Sequence, residues 1–600
     1  MTRIALINLK NTSQGSFWIA AAMVACVLSA CEGEASAVCD EDPCFSRGCP
    51  GFPGDLACGV NAPEAVGDRK ARRGCVGGCP ADAPVCDRRL DRCVACFRHS
   101  ECGNDTFCDV FSGRCRTRCD TDLDCEGSDS RWCAEGYCRP DAEVQVWGDA
   151  SFEAGYLRHQ PIESRAEFGS SLALSADGRV LATHGALGSG AVEVWRQGEG
   201  GWERETRLLA GLYPDPQLYR AFALALSPDG NLLVVGDPLE SSLDKGVFAT
   251  LRGGSDSPLS DQETAGAAYV FEKLSGVWRL VAVLKPSNTH RQQNFGAAVA
   301  LADHGRLIAV GSPRERAASR GVGGAQTDLT AEGAGAVYLF ARSAETWAQT
   351  SYLKASDSAP TLRFGASLAL SHAGAVLAVG AANGTHQKGT AYLFEAHNGI
   401  WEERQKLLHE HDEDVLGASF GKSLALSGNG NVLAVGTYRD APEANETGDY
   451  PGSVHVYARA GTRWGLQTRL KATRPHSHNE FGSAVALSAD GRTLAVGESV
   501  DRSAGTGLNP PPISEELRAS GAAYIYQRLH REWVERAYIK HRFKQEYAMF
   551  GSRVALSASG STLAVSSHLD FGSSVADVSE READPAFRSG SVTVFKRARE

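Results

Sequence analysis

The chain has no cysteine after Cys138. All 18 of its cysteines lie between Cys26 and Cys138, and the rest of the 600-residue chain has none. Cysteine clusters of this density are rare in cytosolic proteins, because the cytosol keeps thiols reduced. The distribution therefore indicates an exported protein with a cysteine-rich segment followed by a cysteine-free one.

An excess of positive charge is also absent. Acidic residues number 72 and basic residues 61, so that the formal net charge is −11. Binding to nucleic acid generally needs Lys and Arg side chains to replace the counterions of the phosphates. We therefore expect no nucleic-acid partner, and we interpret the short basic cluster at 68–73 as a solvated loop.

Long hydrophobic runs are missing too. The run from Phe17 to Ala30 is too short to cross a hydrocarbon core of about 30 Å as a helix, but it suits the apolar part of a signal peptide. It ends in Leu28-Ser29-Ala30-Cys31, which resembles the lipobox of bacterial lipoproteins at all four positions. The resemblance implies a signal peptide over 1–30, a diacylglycerol on Cys31, a linker over 31–38 and a membrane partner for that anchor.

Glu32 follows the predicted anchor, in place of the aspartate associated with inner-membrane retention in enteric bacteria. By that analogy we expect a lipid-anchored protein of the cell envelope, at the outer membrane or cell surface. An ordinary signal peptide with a cysteine close to its cleavage site is the alternative.

Residues 39–140 are expected to form small disulfide-rich modules, because their spacing is near-uniform and they offer few aliphatic residues for a core. The candidate cysteines are Cys39, Cys44, Cys49, Cys58, Cys75, Cys79, Cys86, Cys93, Cys96, Cys102, Cys108, Cys115, Cys119, Cys125, Cys133 and Cys138. Their even number permits pairing without a free thiol. Zinc is the alternative, since Cys93-x2-Cys96 and Cys75-x3-Cys79 have ligand-like spacing.

The remainder of the chain repeats one pattern. Phe-Gly followed by a strand of the Ala-Leu-Ser type begins at Phe168, Phe295, Phe364, Phe420, Phe481 and Phe550, and a degenerate copy begins at Arg220. Each copy predicts four short strands, a to d, with a tight turn between a and b. Six copies carry a tryptophan at the start of strand d: Trp202, Trp278, Trp347, Trp401, Trp464 and Trp533.

Seven four-stranded units predict an all-β fold over 143–600, a seven-bladed β-propeller of four-stranded blades preceded by the disulfide-rich region. The last copy has strands a, b and c but no d. We predict that residues 151–158 supply it, because such closure hides the open edges of the array. Residues 144–147 duplicate a strand c that the C-terminus also offers, and the sequence leaves open which is used.

At these positions the chain resembles FG-GAP repeats, as in integrin α-subunit propellers and bacterial surface proteins. Calcium-binding copies carry several carboxylates between strands a and b, whereas turns such as Ala176-Asp177-Gly178 carry one or none. The resemblance therefore implies no calcium, and we expect no metal and no other cofactor. WD-repeat propellers are the second choice, since no Trp-Asp dipeptide ends these repeats.

Strand order sends the b–c and d–a loops to one end of a propeller, and these loops are long and dissimilar. We expect this face to bind protein or polysaccharide; neutral insertions are the alternative. No catalytic motif is found: the histidine clusters at 476–478 and 409–412 match no metalloenzyme pattern. The sequence favours a non-catalytic binding or adhesion module, and the alternative is a glycan hydrolase or lyase with carboxylates at the central channel.

Overall fold

The computed structural model of the protein describes residues 85–87, 92–94, 106–109, 114–117, 132–134, 137–139, 147, 152–159, 162, 165–185, 191–209, 222–249, 264–302, 305–344, 346–382, 389–409, 419–437, 451–474, 479–511, 517–529, 532–571 and 588–597. The predicted signal peptide 1–30, Cys31 and the linker 31–38 lie outside these ranges. So do the candidate cysteines Cys39, Cys44, Cys49, Cys58, Cys75, Cys79, Cys96, Cys102, Cys119 and Cys125. Lipidation and the domain boundaries stay predictions.

Short antiparallel hairpins occur within the predicted cysteine-rich region. Their strands are Val85–Asp87 with Arg92–Val94, Thr106–Asp109 with Arg114–Thr117, and Trp132–Ala134 with Tyr137–Arg139. The register sets Cys86 opposite Cys93, Cys108 opposite Cys115, and Cys133 opposite Cys138. Each hairpin thus holds two candidate cysteines at opposed backbone positions, while the disulfides themselves stay a prediction.

The later residues form seven antiparallel sheets with the strand order a-b-c-d, which confirms the all-β, seven-bladed propeller. The strands are, blade by blade, Ser171–Leu174, Val180–His184, Ala191–Gly198 and Gly201–Leu209; Ala223–Leu226, Leu232–Asp237, Ala267–Leu274 and Val277–Lys285; Ala298–Leu301, Leu307–Ser312, Ala336–Ser343 and Thr346–Leu353; Ser367–Leu370, Val376–Ala381, Thr390–His397 and Ile400–Leu408; Ser423–Leu426, Val432–Thr437, Ser453–Ala460 and Arg463–Leu470; Phe481–Leu487, Thr493–Glu498, Ala522–Leu529 and Glu532–Lys540; Val554–Leu556, Thr562–Ser567, Ser591–Lys596 and Phe152–Leu157.

Local sequence explains the form of each blade. Strand b has a strand on each side and a blade on each face, so that Val432–Thr437 is buried at every position and its sequence is almost wholly apolar. The two-residue c–d turn requires positive φ at both positions. Asn398 and Gly399 supply it, with φ values of 52° and 80°.

The seventh blade joins the two ends of the propeller. Its strand d is Phe152–Leu157, which pairs antiparallel with Ser591–Lys596. The prediction that residues 151–158 close the ring is confirmed. The C-terminal strand Ser591–Lys596 is strand c, and within 144–147 the one described residue, Trp147, lies outside any strand.

Hydrophobic clusters fill the spaces between neighbouring blades, and each contains or contacts a tryptophan from the start of a strand d or its substitute; the cluster between blades seven and one also contains Trp195. Six are the tryptophans near the starts of strands d that the repeats revealed. The cluster between blades six and seven contains Trp147 instead, which is 1% exposed. Strand d of blade seven starts without a tryptophan, and a residue from the preceding segment takes that place.

The repeated Phe-Gly pair connects each blade to the preceding one. Phe295 forms a parallel bridge with Gly266, the residue before strand c of blade two. Gly266 has a φ of +92°, and a Cβ there would lie 2.0 Å from the carbonyl oxygen of Phe295. Only glycine permits this approach. The same bridge links Phe168 with Gly590, Phe364 with Gly335, Phe420 with Gly389, Phe481 with Gly452, and Phe550 with Gly521.

The interface between blades one and two is built differently. The copy that begins blade two reads Arg220-Ala221 in place of Phe-Gly. Strand b of blade one ends with His184 where blade two has Gly236. The His184 ring lies 4.3 Å from that of Phe222, so that a ring contact occupies this position.

Candidate functional site

The two ends of the propeller differ in construction. Antiparallel order places the a–b and c–d turns at one end, the turn face, and the b–c and d–a loops at the other, the loop face. Strands a and b of blade three are separated by 302–306, whereas 313–335 separate its strands b and c. Loops on a rigid scaffold commonly carry binding residues, and we therefore take the loop face as the candidate site.

The a–b turns of the turn face satisfy their own polar groups. Ser175 Oγ accepts a hydrogen bond of 2.9 Å from the backbone N–H of Val180 and donates one of 2.6 Å to Asp177 Oδ1. Asp177 Oδ1 also accepts from the N–H of Arg179 at 2.9 Å. Equivalent serine bonds occur at Ser227, Ser371, Ser427, Ser488 and Ser557. The turn carboxylates thus stabilise the turns that contain them.

Neighbouring turns are also bonded to one another. The N–H of Ala489 donates to the carbonyl of Ala558 at 2.8 Å, and the N–H of Ala558 donates to that of Ala176 at 2.9 Å. The second bond joins the last blade to the first. These backbone groups of neighbouring turns are therefore hydrogen-bonded to each other.

At the base of the b–c loops lies a buried acid–lysine pair. In blade three, Lys354 at the end of strand d donates to Glu315 Oε2 at 2.7 Å, and both side chains are 0% exposed. Glu315 is held by a tight turn, because its N–H bonds the carbonyl of Ser312 at 3.1 Å. Its own carbonyl accepts from Gly335 at 2.9 Å. The pair thus fixes the start and the end of the loop to strand d.

The arrangement recurs in other blades, and sequence reasoning missed it. Equivalent pairs are Glu240 with Lys285 in blade two and Asp501 with Lys540 in blade six, and Asp570 of blade seven contacts Tyr156 and His541. Leu408 replaces the lysine in blade four, where Gly384 stands at the acid position. Blade one likewise has Leu209 and Gly188. The joint loss of acid and lysine within a blade is the signal that could have revealed the pair.

Three b–c loops fold back along the outer edge of their own blade. Gly246–Phe248 pairs with strand d of blade two, Gly507–Leu508 pairs with strand d of blade six, and Val322 bridges Leu353 in blade three. Blades two and six therefore keep the predicted four strands and add a short fifth strand at the outer edge. Covering an outer strand removes an exposed edge that could pair with other chains.

A fully buried carboxyl with a raised pKa lies in blade six, where strand b ends at the loop face. Glu498, on strand b, is fully buried and accepts a hydrogen bond of 2.9 Å from the Tyr524 hydroxyl. Burial, and secondarily the negative charge of Asp501, raises the pKa of Glu498 well above its ordinary value. Burial also lowers the pKa of Lys540, although Asp501 opposes this shift. Two buried carboxyls, Glu498 and Asp501, thus lie close to one buried lysine, Lys540.

The innermost strands supply no acid–base chemistry in the part of the chain that the structure describes. Strands a read Ser-Leu-Ala-Leu in blades one, four and five and Val-Ala-Leu in blade seven, without Asp, Glu or His. Of the histidine clusters, 476–478 and 410–412 lie outside the described residues. His409 packs against Phe420 and His455, with ring separations of 6.0 and 5.4 Å.

A cleft of about 680 Å³ opens on the turn face beside blades two and three. Its charged lining includes Asp229, Glu272, Lys273 and Arg342. Glu272 and Arg342 form a two-pronged ion pair at 2.9 and 3.0 Å, which joins strands c of neighbouring blades. These side chains therefore stabilise the blade interface.

Metal-binding clusters and membrane-spanning helices are both absent from the ranges that the structure describes. Nowhere in these ranges do three His, Cys, Asp or Glu side chains come together so that they could hold a metal ion. Within the same ranges, no helix has the length and apolar character needed to cross a membrane.

Comparison with known proteins gives one family match. The sequence model described as FG-GAP repeat matches residues 347–394. This stretch runs from strand d of blade three to strand c of blade four. It contains Phe364, whereas Gly335, which forms the bridge with Phe364, lies before it. No curated protein matches the chain.

Proposed function

We propose that the protein is a non-catalytic binding or adhesion module of the cell envelope, which contacts protein or polysaccharide through the loop face of its propeller. The contrast between the two faces carries this proposal. On the turn face, polar side chains such as Ser175 and Asp177 form hydrogen bonds within their own turns. The loop face presents long segments anchored by buried pairs such as Glu315 with Lys354.

The proposed location rests on the N-terminal sequence. Leu28-Ser29-Ala30-Cys31 has the pattern of a lipobox, and the 16 candidate disulfide cysteines all lie between it and residue 139. Acyl chains on Cys31 would provide a firm anchor, since each buried methylene contributes about 0.8 kcal/mol. A lipid-anchored propeller on a cysteine-rich stalk would present its loops outside the cytoplasm.

The innermost strands, strands a, support the non-catalytic part of the proposal. A glycan hydrolase needs paired carboxylates beside the scissile bond, and in the described residues strands a contribute none. Glu498, whose pKa is raised by burial, lies fully buried beside Tyr524 within its blade. We therefore propose binding in preference to turnover.

The experiment applies the purified full chain to a glycan array and to whole cells, and then compares variants of the two faces. Replacing 316–331 with a short Gly-Ser linker changes the loop face and retains Glu315. Exposed residues of the turn face, Leu274 and Val277, changed together to serine, provide the control. We expect the loop variant to lose binding and the control to retain it.

Loss of binding in the turn-face variant alone would contradict the proposal. Release of reducing sugar ends from a bound glycan would contradict its non-catalytic part.

A further inference from the structure

We propose that the b–c loop of blade three, residues 313–334, is an arginine site for a polysaccharide that bears carboxylates. This inference rests on the proposed function and assigns a ligand class to one part of the loop face. Three arginines of this loop, Arg314, Arg316 and Arg320, carry it.

The loop is rigidly attached to the blade. The N–H of Gly323 donates to the carbonyl of Tyr352 at 2.8 Å, and the N–H of Lys354 donates to that of Gly321 at 2.9 Å. At the other end, Glu315 Oε1 accepts from the N–H of Ala317 at 2.9 Å. A loop that is ordered before it binds loses less conformational entropy on binding, which favours affinity.

The acid that stands between two of these arginines, Glu315, is already paired with a lysine. Glu315 is 0% exposed and is neutralised by Lys354, so that it is not available to the arginines on either side of it. Arg314 and Arg320 are exposed, and Arg316 is half-buried. Two further acids lie on the loop, and one of them, Asp328, accepts from the N–H and hydroxyl of Thr330.

None of the three guanidinium groups has an ion-pair partner among the residues that the structure describes. Several basic side chains of strands c are paired, as Arg459 is with Glu395 and Arg196 with Glu205. The Nε of Arg316 is buried and lacks a hydrogen-bond partner in the described set.

The chemistry favours carboxylates on a sugar chain. A guanidinium group binds a carboxylate through two parallel hydrogen bonds, and an acidic polysaccharide repeats its carboxylates along its chain, so that one ligand offers several of them to one loop. Single-stranded nucleic acid is disfavoured, because residues 313–334 contain no aromatic side chain on which a base could stack. The net charge of −11 disfavours it further.

The test measures binding of the full chain to polygalacturonate, with dextran, poly-glutamate and single-stranded DNA as comparison ligands. The variant is Arg314→Gln with Arg316→Gln and Arg320→Gln. The matched control is Arg179→Gln with Arg279→Gln and Arg463→Gln, which removes the same charge at exposed positions outside this loop. We expect the loop variant to weaken polygalacturonate binding about tenfold or more and the control to leave it unchanged.

Equal weakening by both variants, or equal affinity for poly-glutamate or DNA, would overturn the inference, since charge alone would then explain binding. Binding of other glycans by the loop face, without any polygalacturonate binding, would overturn it and leave the proposed function in place. A chain that binds neither glycans nor cells would remove the proposed function as well.

Discussion

The indole Nε1–H of Trp147 donates a hydrogen bond of 2.8 Å to the carbonyl oxygen of Gly560, which lies in the a–b turn of the last blade. Its backbone N–H donates to Gln527 Oε1 of blade six at 3.2 Å. Trp147, which precedes the first strand of the propeller, is thus hydrogen-bonded to both of the last two blades.

Trp147→Ala should destabilise the propeller at this seam. Truncating a buried tryptophan costs about 3–5 kcal/mol, and the hydrogen bond to Gly560 is lost as well. Thermal unfolding should show a lower melting temperature. Deletion of 141–160, which also removes strand d of blade seven, should lower it further. Ile400→Ala, at a residue 66% exposed, is the control, and equal melts for all three proteins would contradict the closure.

Gly266→Ala should be far more damaging than Gly276→Ala. Both glycines have positive φ, +92° and +83°, so that both substitutions impose backbone strain of about 1–2 kcal/mol. A Cβ at Gly276 meets nothing within 4 Å, whereas one at Gly266 lies 2.0 Å from the carbonyl of Phe295. Melting temperatures of the two variants report the difference, and equal losses would show that the Phe-Gly bridge adds no steric constraint.

Glu498→Gln should make stability less dependent on pH. Burial raises the pKa of Glu498 in the folded chain above its ordinary value of 4.5, so that the folded state binds a proton that the unfolded state releases. Wild-type stability therefore falls as pH rises above that value, by up to about 1.4 kcal/mol per pH unit. Glutamine can still accept from Tyr524.

The measurement for this variant is the melting temperature between pH 5 and pH 8. The advantage of Glu498→Gln over wild type should grow with pH, while Glu532→Gln, at an exposed position of the same blade, should give no such trend. A constant difference would show that Glu498 ionises alike in both states.

Cys31→Ala should release the protein from membranes. Without the thiol no diacylglycerol can be attached, and cell fractionation should find the chain in the soluble envelope fraction. Cys26→Ala is the matched control, because that cysteine lies within the predicted signal peptide and should leave fractionation unchanged. Membrane association of the Cys31 variant would refute lipidation.

The cysteine-rich segment should contain neither free thiols nor zinc. The 16 candidates can pair completely, and the proposed export would expose them to an oxidising compartment. Thiol titration of the denatured mature chain checks the first point, and metal analysis of the purified protein checks the second. Stoichiometric zinc would favour the ligand-like spacing of Cys93 and Cys96 over disulfides.

The sequence predicted the features that repeat and those that follow from closing a ring. The Phe-Gly pairs and the strand-d tryptophans recur, and strand d of blade seven had to come from Phe152–Leu157 because the last repeat ended without one. The reason for the Phe-Gly pair was not predictable, since it is a contact between Gly266 and Phe295 in different blades.

What stayed hidden depends on the sheet edge and on distant partners. Gly246–Phe248 has no strand pattern of its own and is a strand because the edge of Val277–Lys285 is open beside it. Glu240 and Lys285 belong to separate strand ends, and only a comparison of blades reveals that they occur together. Trp147 lies outside any repeat, so that periodicity carried no information about it.

The ring is sealed by pairing Phe152–Leu157 with Ser591–Lys596. Because the two strands come from opposite ends of the propeller sequence, the first of them has no partner until the last blade has been synthesised. The propeller therefore matures in one late step, and a chain truncated within the last blade leaves an open seam that proteases and chaperones can recognise.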